Sequence, residues 1–144
     1  MEVVDAVCEV WGADRVGVHL APRGDAHDMK DSNPKELFSF VARELGKKKI
    51  AFIFAREYQG ADSIGKIIKD NFGGVFIANE KFTKETAEKV ISNKEADAVS
   101  FGILFISNPD LPKRFLENAP LNDTNFQTIY AEGKTGYSDY PALG

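Results

Sequence analysis

Ile50-Ala51-Phe52-Ile53-Phe54-Ala55 is an unbroken apolar run, preceded by Lys47-Lys48-Lys49 and followed by Arg56-Glu57. Val75-Phe76-Ile77-Ala78 repeats the pattern after a glycine pair, Gly73-Gly74. Short runs without polar alternation read as strands covered on both faces. Between them Ile64, Ile67, Ile68 and Phe72 recur at helical spacing behind Asp62 or Ser63 as a cap. Strand, amphipathic helix and strand make one parallel unit with a right-handed crossover.

The same alternation extends in both directions. Upstream, Val3, Val4, Val7, Cys8 and Trp11 fall on one helical face, and Gly12 supplies a stop. Val16 to Leu20 is a short β-rich run ended by Pro22, and a polar loop follows from Arg23 to Ser32. Asn33, Pro34 and Glu36 then read as N-cap, first-turn proline and capping-box acid. Leu37, Phe38, Val41 and Leu45 form that helix's buried face, with Gly46 as its end. Downstream, Thr83 caps a helix carrying Ala87, Val90 and Ile91, and Ala96 to Phe101 makes a fourth strand closed by Gly102. Pro109 and Pro112 bracket the start of a short helix through Phe115 and Leu116. Residues 118–144 are rich in Asn, Gly and Tyr and carry no period.

The order is a helix followed by four β-α units, in one segment: units over 1–117 and an irregular tail over 118–144. Two architectures satisfy it. One is a doubly wound sheet with helices on both faces. The other is half of an eight-stranded barrel, whose open edges and inner face need a partner. Periodicity does not choose between them.

Composition narrows the function. The 144 residues carry 18 Lys+Arg against 22 Asp+Glu, a net charge of −4, with 43% hydrophobic and 28% charged residues. That balance fits an ordinary folded domain and argues against nucleic acid as a partner. No run approaches the roughly 18 apolar residues of a membrane span. The first ten residues hold Glu2, Asp5 and Glu9 and no basic group, unlike a signal peptide. One cysteine fits a reducing compartment, so a cytoplasmic location is expected. Cys8 reads as a core residue. Serine-hydrolase and P-loop motifs do not occur. His19, His27 and Cys8 make no zinc spacing, and the Asp25, His27 and Asp28 cluster reads as a polar loop before an N-cap. Lys47 to Lys49 reads as a solvated turn.

Three segments resemble the Old Yellow Enzyme family, the flavin mononucleotide (FMN)-dependent ene-reductases built on a (β/α)8 barrel. Asp14-Arg15-Val16-Gly17-Val18-His19-Leu20-Ala21-Pro22 is similar to the family's D-R-[IV]-G-[IV]-R-[LIV]-[ST]-P. Phe101-Gly102-Ile103-Leu104-Phe105-Ile106-Ser107-Asn108-Pro109-Asp110-Leu111 is similar to F-G-R-x-[FWY]-I-[AS]-N-P-D-L. Ala119-Pro120-Leu121-Asn122 with Gly136-Tyr137-Ser138-Asp139-Tyr140-Pro141 is similar to A-x-L-N…G-Y-[TS]-D-Y-P. The resemblance covers only the family's C-terminal part, so it implies the C-terminal half of a TIM barrel, strands five to eight with the tail.

By that resemblance the chain belongs to an NAD(P)H-dependent FMN oxidoreductase reducing activated C=C bonds in small α,β-unsaturated substrates. Its partner would be the N-terminal half-barrel or a second copy of itself; a flavin-free, self-paired half-barrel is the alternative. The family's carbonyl-binding histidine pair and proton-donor tyrosine lie in the other half, so no catalytic residue carries over. The resemblance does imply flavin contacts. His19 stands where the family has the arginine beside flavin N1 and O2, and it can donate one hydrogen bond there. Ala78 and Asn79 occupy the glycine-rich phosphate turn after strand seven. Gly102 is kept after strand eight, while Ile103 replaces the phosphate arginine, which implies a weakened FMN site. Arg23, Arg56 and Lys81, just past strand ends, are candidate replacement cations. Tyr130, Tyr137 and Tyr140 are expected to be structural.

Overall fold

Each of the four strands pairs in parallel with the next one in sequence. In the computed structural model, which describes residues 1–24, 29 and 31–144, these are β1 (Gly17–Leu20), β2 (Phe52–Arg56), β3 (Val75–Asn79) and β4 (Ala98–Val99), in the order β1-β2-β3-β4. The helices are α1 (Glu2–Trp11), α2 (Pro34–Lys48), α3 (Gly65–Phe72), α4 (Lys84–Ser92), α5 (Ile103–Ser107) and α6 (Leu111–Glu117). The chain divides into two units, Met1–Ser100 and Phe101–Gly144.

Strand order resolves the choice left open by periodicity. A doubly wound sheet reverses its order at a switch point, which puts helices on both faces. An unreversed order with crossovers of one hand keeps every helix on one face. Burial follows that rule. Ile53, Ala55, Phe76 and Ala78 are buried, whereas Phe52, Phe54 and Ile77 are half-buried and Val75 is exposed. The register sets Gly17 beside Phe52 and Val75, and His19 beside Phe54 and Ile77, so these residues share the second face. The two-sided cover expected from the apolar runs is therefore absent in the four strands by themselves. An apolar run records what the strand is suited to touch, not whether both neighbours are present.

Glycine at position 17 is fixed by that second face. The Phe52 ring lies across β1, and a Cβ on Gly17 would meet its Cζ at 2.3 Å. The ring covers part of the face that the crossover helices α2, α3 and α4 leave open.

Local signals explain most helix boundaries. Asn33 caps α2, its Oδ1 accepting the Glu36 N–H at 3.3 Å. The Glu36 carboxylate takes the Asn33 side-chain amide at 2.7 Å, while the Asn33 backbone N–H goes to Asp31. Gly46 does not end the helix as expected. The helix continues to Lys48 and closes on Lys49 in the left-handed region at φ 56°. Gly46 serves contact instead, because a Cβ there would lie 2.4 Å from the Phe72 carbonyl oxygen. Thr83 caps α4 in a reciprocal pair with Thr86, and Ala87 and Val90 are buried.

Three further expectations change. Ile64, not Asp62 or Ser63, is the N-cap of α3, and it lacks a side-chain cap. Its N–H is taken from afar by Glu57 Oε1 at 2.8 Å. Cys8 is half-buried rather than core, for α1 has no buried residue and leaves Val3, Val10 and Trp11 exposed. The fourth strand is shorter than expected, although flanking bonds from Asp97 N to Phe76 O and Ser100 N to Ala78 O extend its pairing. The Asp97 carboxylate also accepts the Phe76 N–H at 2.8 Å and pairs with Lys69 at 2.5 Å, pinning the start of β3.

Alanine normally improves on glycine inside a helix by about 1 kcal/mol. Gly46→Ala should instead lower the free energy of urea unfolding by roughly 1–3 kcal/mol, the scale of overpacking. A variant as stable as the parent would contradict the α2–α3 contact described here.

Candidate functional site

The C-terminal ends of β1 to β4 gather the polar residues of the first unit. His19 and Asn79 both lie on the face that the helices leave bare, His19 exposed and Asn79 half-buried. The His19 imidazole stands edge-to-face against Phe54, centroids 4.6 Å apart at 84°. Asn79 is held by its amide, which donates to Ser100 O at 2.9 Å and Ser100 Oγ at 3.0 Å. Ala78 points the other way. Its side chain is buried under the helices, so only its backbone can face a ligand.

The three candidate cations each have partners. Arg23 Nε lies 3.0 Å from Glu57 Oε1, and its Nη1 lies 2.5 Å from Asp62. Its guanidinium also sits over the Tyr58 ring, 4.0 Å from the centroid, and donates to the Tyr58 carbonyl. Lys81 Nζ lies 5.4 Å from the centroid of the same ring. Arg56 pairs with Glu80. Arg23, with a side chain only 12% exposed, is a structural tie between the loops after β1 and β2. Contact with Arg23 holds the Asp62 carboxyl below the usual carboxylate range.

Sequence reasoning missed Glu57 and Glu80. Glu57 follows a strand in what looks like a solvated loop, yet it is buried and also accepts the Ser63 hydroxyl at 3.0 Å. Only its distant partners reveal its role. Glu80 and Lys81 follow β3 with φ of 99° and 57°. Such values cost an L-residue of order 1–3 kcal/mol and cluster at functional sites. A cavity of about 250 Å3, lined by Ala55, Glu57, Ser63, Gly65, Phe76 and Ala78, opens on the helix-covered side. It is separate from the bare face.

In the second unit Gly102 precedes α5, and a Cβ built on it would meet nothing within 4 Å. Its φ of −94° is open to any residue, so space at this position, rather than backbone freedom, is what glycine provides. Ile103 is 40% exposed. The long motifs that follow are structural pins. Arg114, 4% exposed, donates to Asp110 at 2.6 Å, Pro120 O at 2.6 Å and Pro141 O at 2.8 Å. Asn108 Oδ1 accepts the Asn122 N–H at 2.7 Å, and the Asn122 amide donates to Ser107 O and Pro141 O. Tyr140 accepts the Asn125 N–H through its hydroxyl at 2.9 Å, while Tyr130 and Tyr137 are exposed.

Among the described residues no group of His, Cys, Asp and Glu is arranged to hold a metal ion, and no helix is long and apolar enough to cross a membrane. Asp25, His27 and Asp28 lie outside the described residues.

Residues 1–122 match the model of the NADH:flavin oxidoreductase / NADH oxidase family. Over 99% of its length the chain is 37% identical to 12-oxophytodienoate reductase 2 of Arabidopsis thaliana, of which it covers 41%. It is 36% identical to a Leishmania infantum protein named "Probable flavin mononucleotide-dependent alkene reductase", of which it covers 40%. Among solved structures it is similar to the old yellow enzyme from Trypanosoma cruzi, with a TM-score of 0.93 and 32% identity over 99% of this chain and 39% of that one. It is also similar to morphinone reductase in complex with tetrahydroNAD, with a TM-score of 0.90 and 36% identity over 99% of this chain and 40% of that one. These neighbours are TIM-barrel enzymes, and the chain spans about 40% of the length of the relatives it matches.

The pins carry a pH signature. The Leu143 N–H, and then Arg114, hold the Asp110 carboxyl below the usual carboxylate range. A depressed folded pKa gives stability that is complete above the unfolded value, about 4, and vanishes as pH falls through the folded one. Asp110→Asn should therefore be less stable than the parent near pH 7, with the gap narrowing below about pH 4. A gap that stays constant in acid unfolding would contradict the assignment.

Proposed function

Since the chain belongs to the NADH:flavin oxidoreductase / NADH oxidase family, we propose that it supplies the C-terminal β-α units of an FMN-dependent NAD(P)H oxidoreductase that reduces activated C=C bonds. The observation that carries this reading is the bare sheet face with His19 and Asn79 at the C-terminal ends of its strands. That end of a parallel barrel is where such enzymes place their ligands.

The residues suit FMN in part. Its phosphate needs N–H donors, which the backbone at Ala78 and Asn79 would offer. It lacks a guanidinium at Ile103. When bound, FMN supplies the hydride relay between nicotinamide and alkene. His19 would donate a hydrogen bond to the edge of the flavin that gains negative charge on reduction, and Phe54 orients the His19 ring. The apolar face formed by Phe52, Phe54, Val75 and Ile77 keeps water from below the site.

Carbonyl binding and proton donation belong to residues outside this chain, and we assign them to four preceding β-α units that close the face. A second reading rests on the same face. Two open sheet edges and exposed Val75 suit pairing with a second copy of the chain, without flavin. Sedimentation separates them: a soluble monomer at high concentration excludes the self-paired form.

A guanidinium on a phosphate contributes about 1.5–3 kcal/mol, or roughly one to two decades in affinity. Ile103→Arg should tighten FMN binding by about that factor, read by quenching of flavin fluorescence. Equal FMN affinity in parent and variant would contradict the placing of position 103 beside the flavin phosphate.

A further inference from the structure

Asn79 ends β3 on the bare face, and its carboxamide is committed at one end only. The register sets Ala78 beside Val99, and the Ser100 N–H continues that pairing to Ala78 O at 2.9 Å, so Ser100 comes next to Asn79. The Asn79 amide donates to both Ser100 O and Ser100 Oγ. A carbonyl oxygen only accepts, so the end that faces Ser100 O is the NH2 group. The carboxamide is planar, which fixes the direction of Oδ1 as well, and among the described residues nothing donates to that oxygen. Asparagine is also depleted from strands. Tying β3 to β4 needs a donor alone, which a hydroxyl residue better suited to a strand would supply. What asparagine adds is the acceptor end.

We propose that Asn79 Oδ1 accepts a hydrogen bond from a hydroxyl of the ribityl chain of FMN. The inference deepens the flavin reading above and rests on it. An acceptor oxygen repels a phosphate oxygen and suits a donor without negative charge. Asn79 lies two strands over from His19, roughly 10 Å across the sheet at the usual strand spacing, and two residues nearer the strand ends. With the ring edge at His19 and the phosphate at the farther strands, the ribityl chain is the part of the ligand that passes Asn79.

The experiment titrates FMN, riboflavin and lumiflavin separately into the purified chain, Asn79→Ala and Ser100→Ala, reading flavin fluorescence. Riboflavin lacks the phosphate; lumiflavin lacks the phosphate and the polyol but keeps the ring. Asn79→Ala should weaken FMN and riboflavin by the same factor, roughly three- to tenfold for one neutral hydrogen bond, and leave lumiflavin unchanged. Ser100→Ala guards against a folding artefact. It removes one of the two bonds to the amide but keeps Oδ1 and the carbonyl at position 100, so all three affinities should stay close to the parent's. Unchanged riboflavin affinity in Asn79→Ala, or a loss confined to FMN, overturns the inference while the flavin reading stands. So does a loss that lumiflavin shares or that Ser100→Ala matches, since Asn79 would then only support the sheet. No binding of any flavin by the parent overturns it for this chain and leaves the family membership untouched.

Discussion

Four parallel strands laid down in chain order, each joined to the next through a helix, can cover only one of their two faces. The chirality of the crossover decides this, because every connection of the same hand returns its helix to the same side. Ile53, Ala55, Phe76 and Ala78 go under the helices, while Phe52, Phe54, Val75 and Ile77 remain on the other side. Those apolar residues are the floor of whatever closes over them, and the polar residues at the strand ends are its rim. The position of His19, Asn79 and Arg56 on that rim follows from strand parity, since each lies an even number of residues from a floor residue on its own strand or faces one across the register.

The residues that identify the family are mostly not those that would do chemistry. The Ser107 to Arg114 segment and the tail residues Asn122, Tyr140 and Pro141 form a hydrogen-bonded knot within the second unit. A buried guanidinium with three fixed acceptors tolerates little change, for loss of any partner leaves a costly unsatisfied group. Gly17 is held for a similar reason, by the ring of Phe52. The rim is under no such packing constraint. His19 and Ile103 depart from the motifs they resemble, while Gly17 and the Ser107 to Leu111 segment keep theirs.

Much of the fold could be read from local signals. Asn33 and Thr83 announce helices because their side chains bond to N–H groups three residues on, a purely local interaction. The limits appear where a residue answers to something distant. Gly46 looks like a stop but accommodates Phe72, and Ile64 has no cap of its own because Glu57 reaches it across the loop. The Ile103 to Ser107 helix is too short and too uniformly apolar to show a period. The proposal of His19, Ala78, Asn79, Gly102 and Ile103 as flavin contacts rests on the resemblance alone. That Ala78 turns its side chain away needed the register, and the pairing of Arg56 with Glu80 needed the turn geometry.

The account stands on which face is bare, and thiol labelling measures that directly. Ile77→Cys and Ala78→Cys, each in a Cys8→Ser background and diluted until monomeric, place a single thiol on opposite faces of β3. The account predicts that position 77 reacts at least about tenfold faster than position 78, the difference between an open face and one that reacts only through transient opening. Equal rates, or faster reaction at position 78, would contradict it.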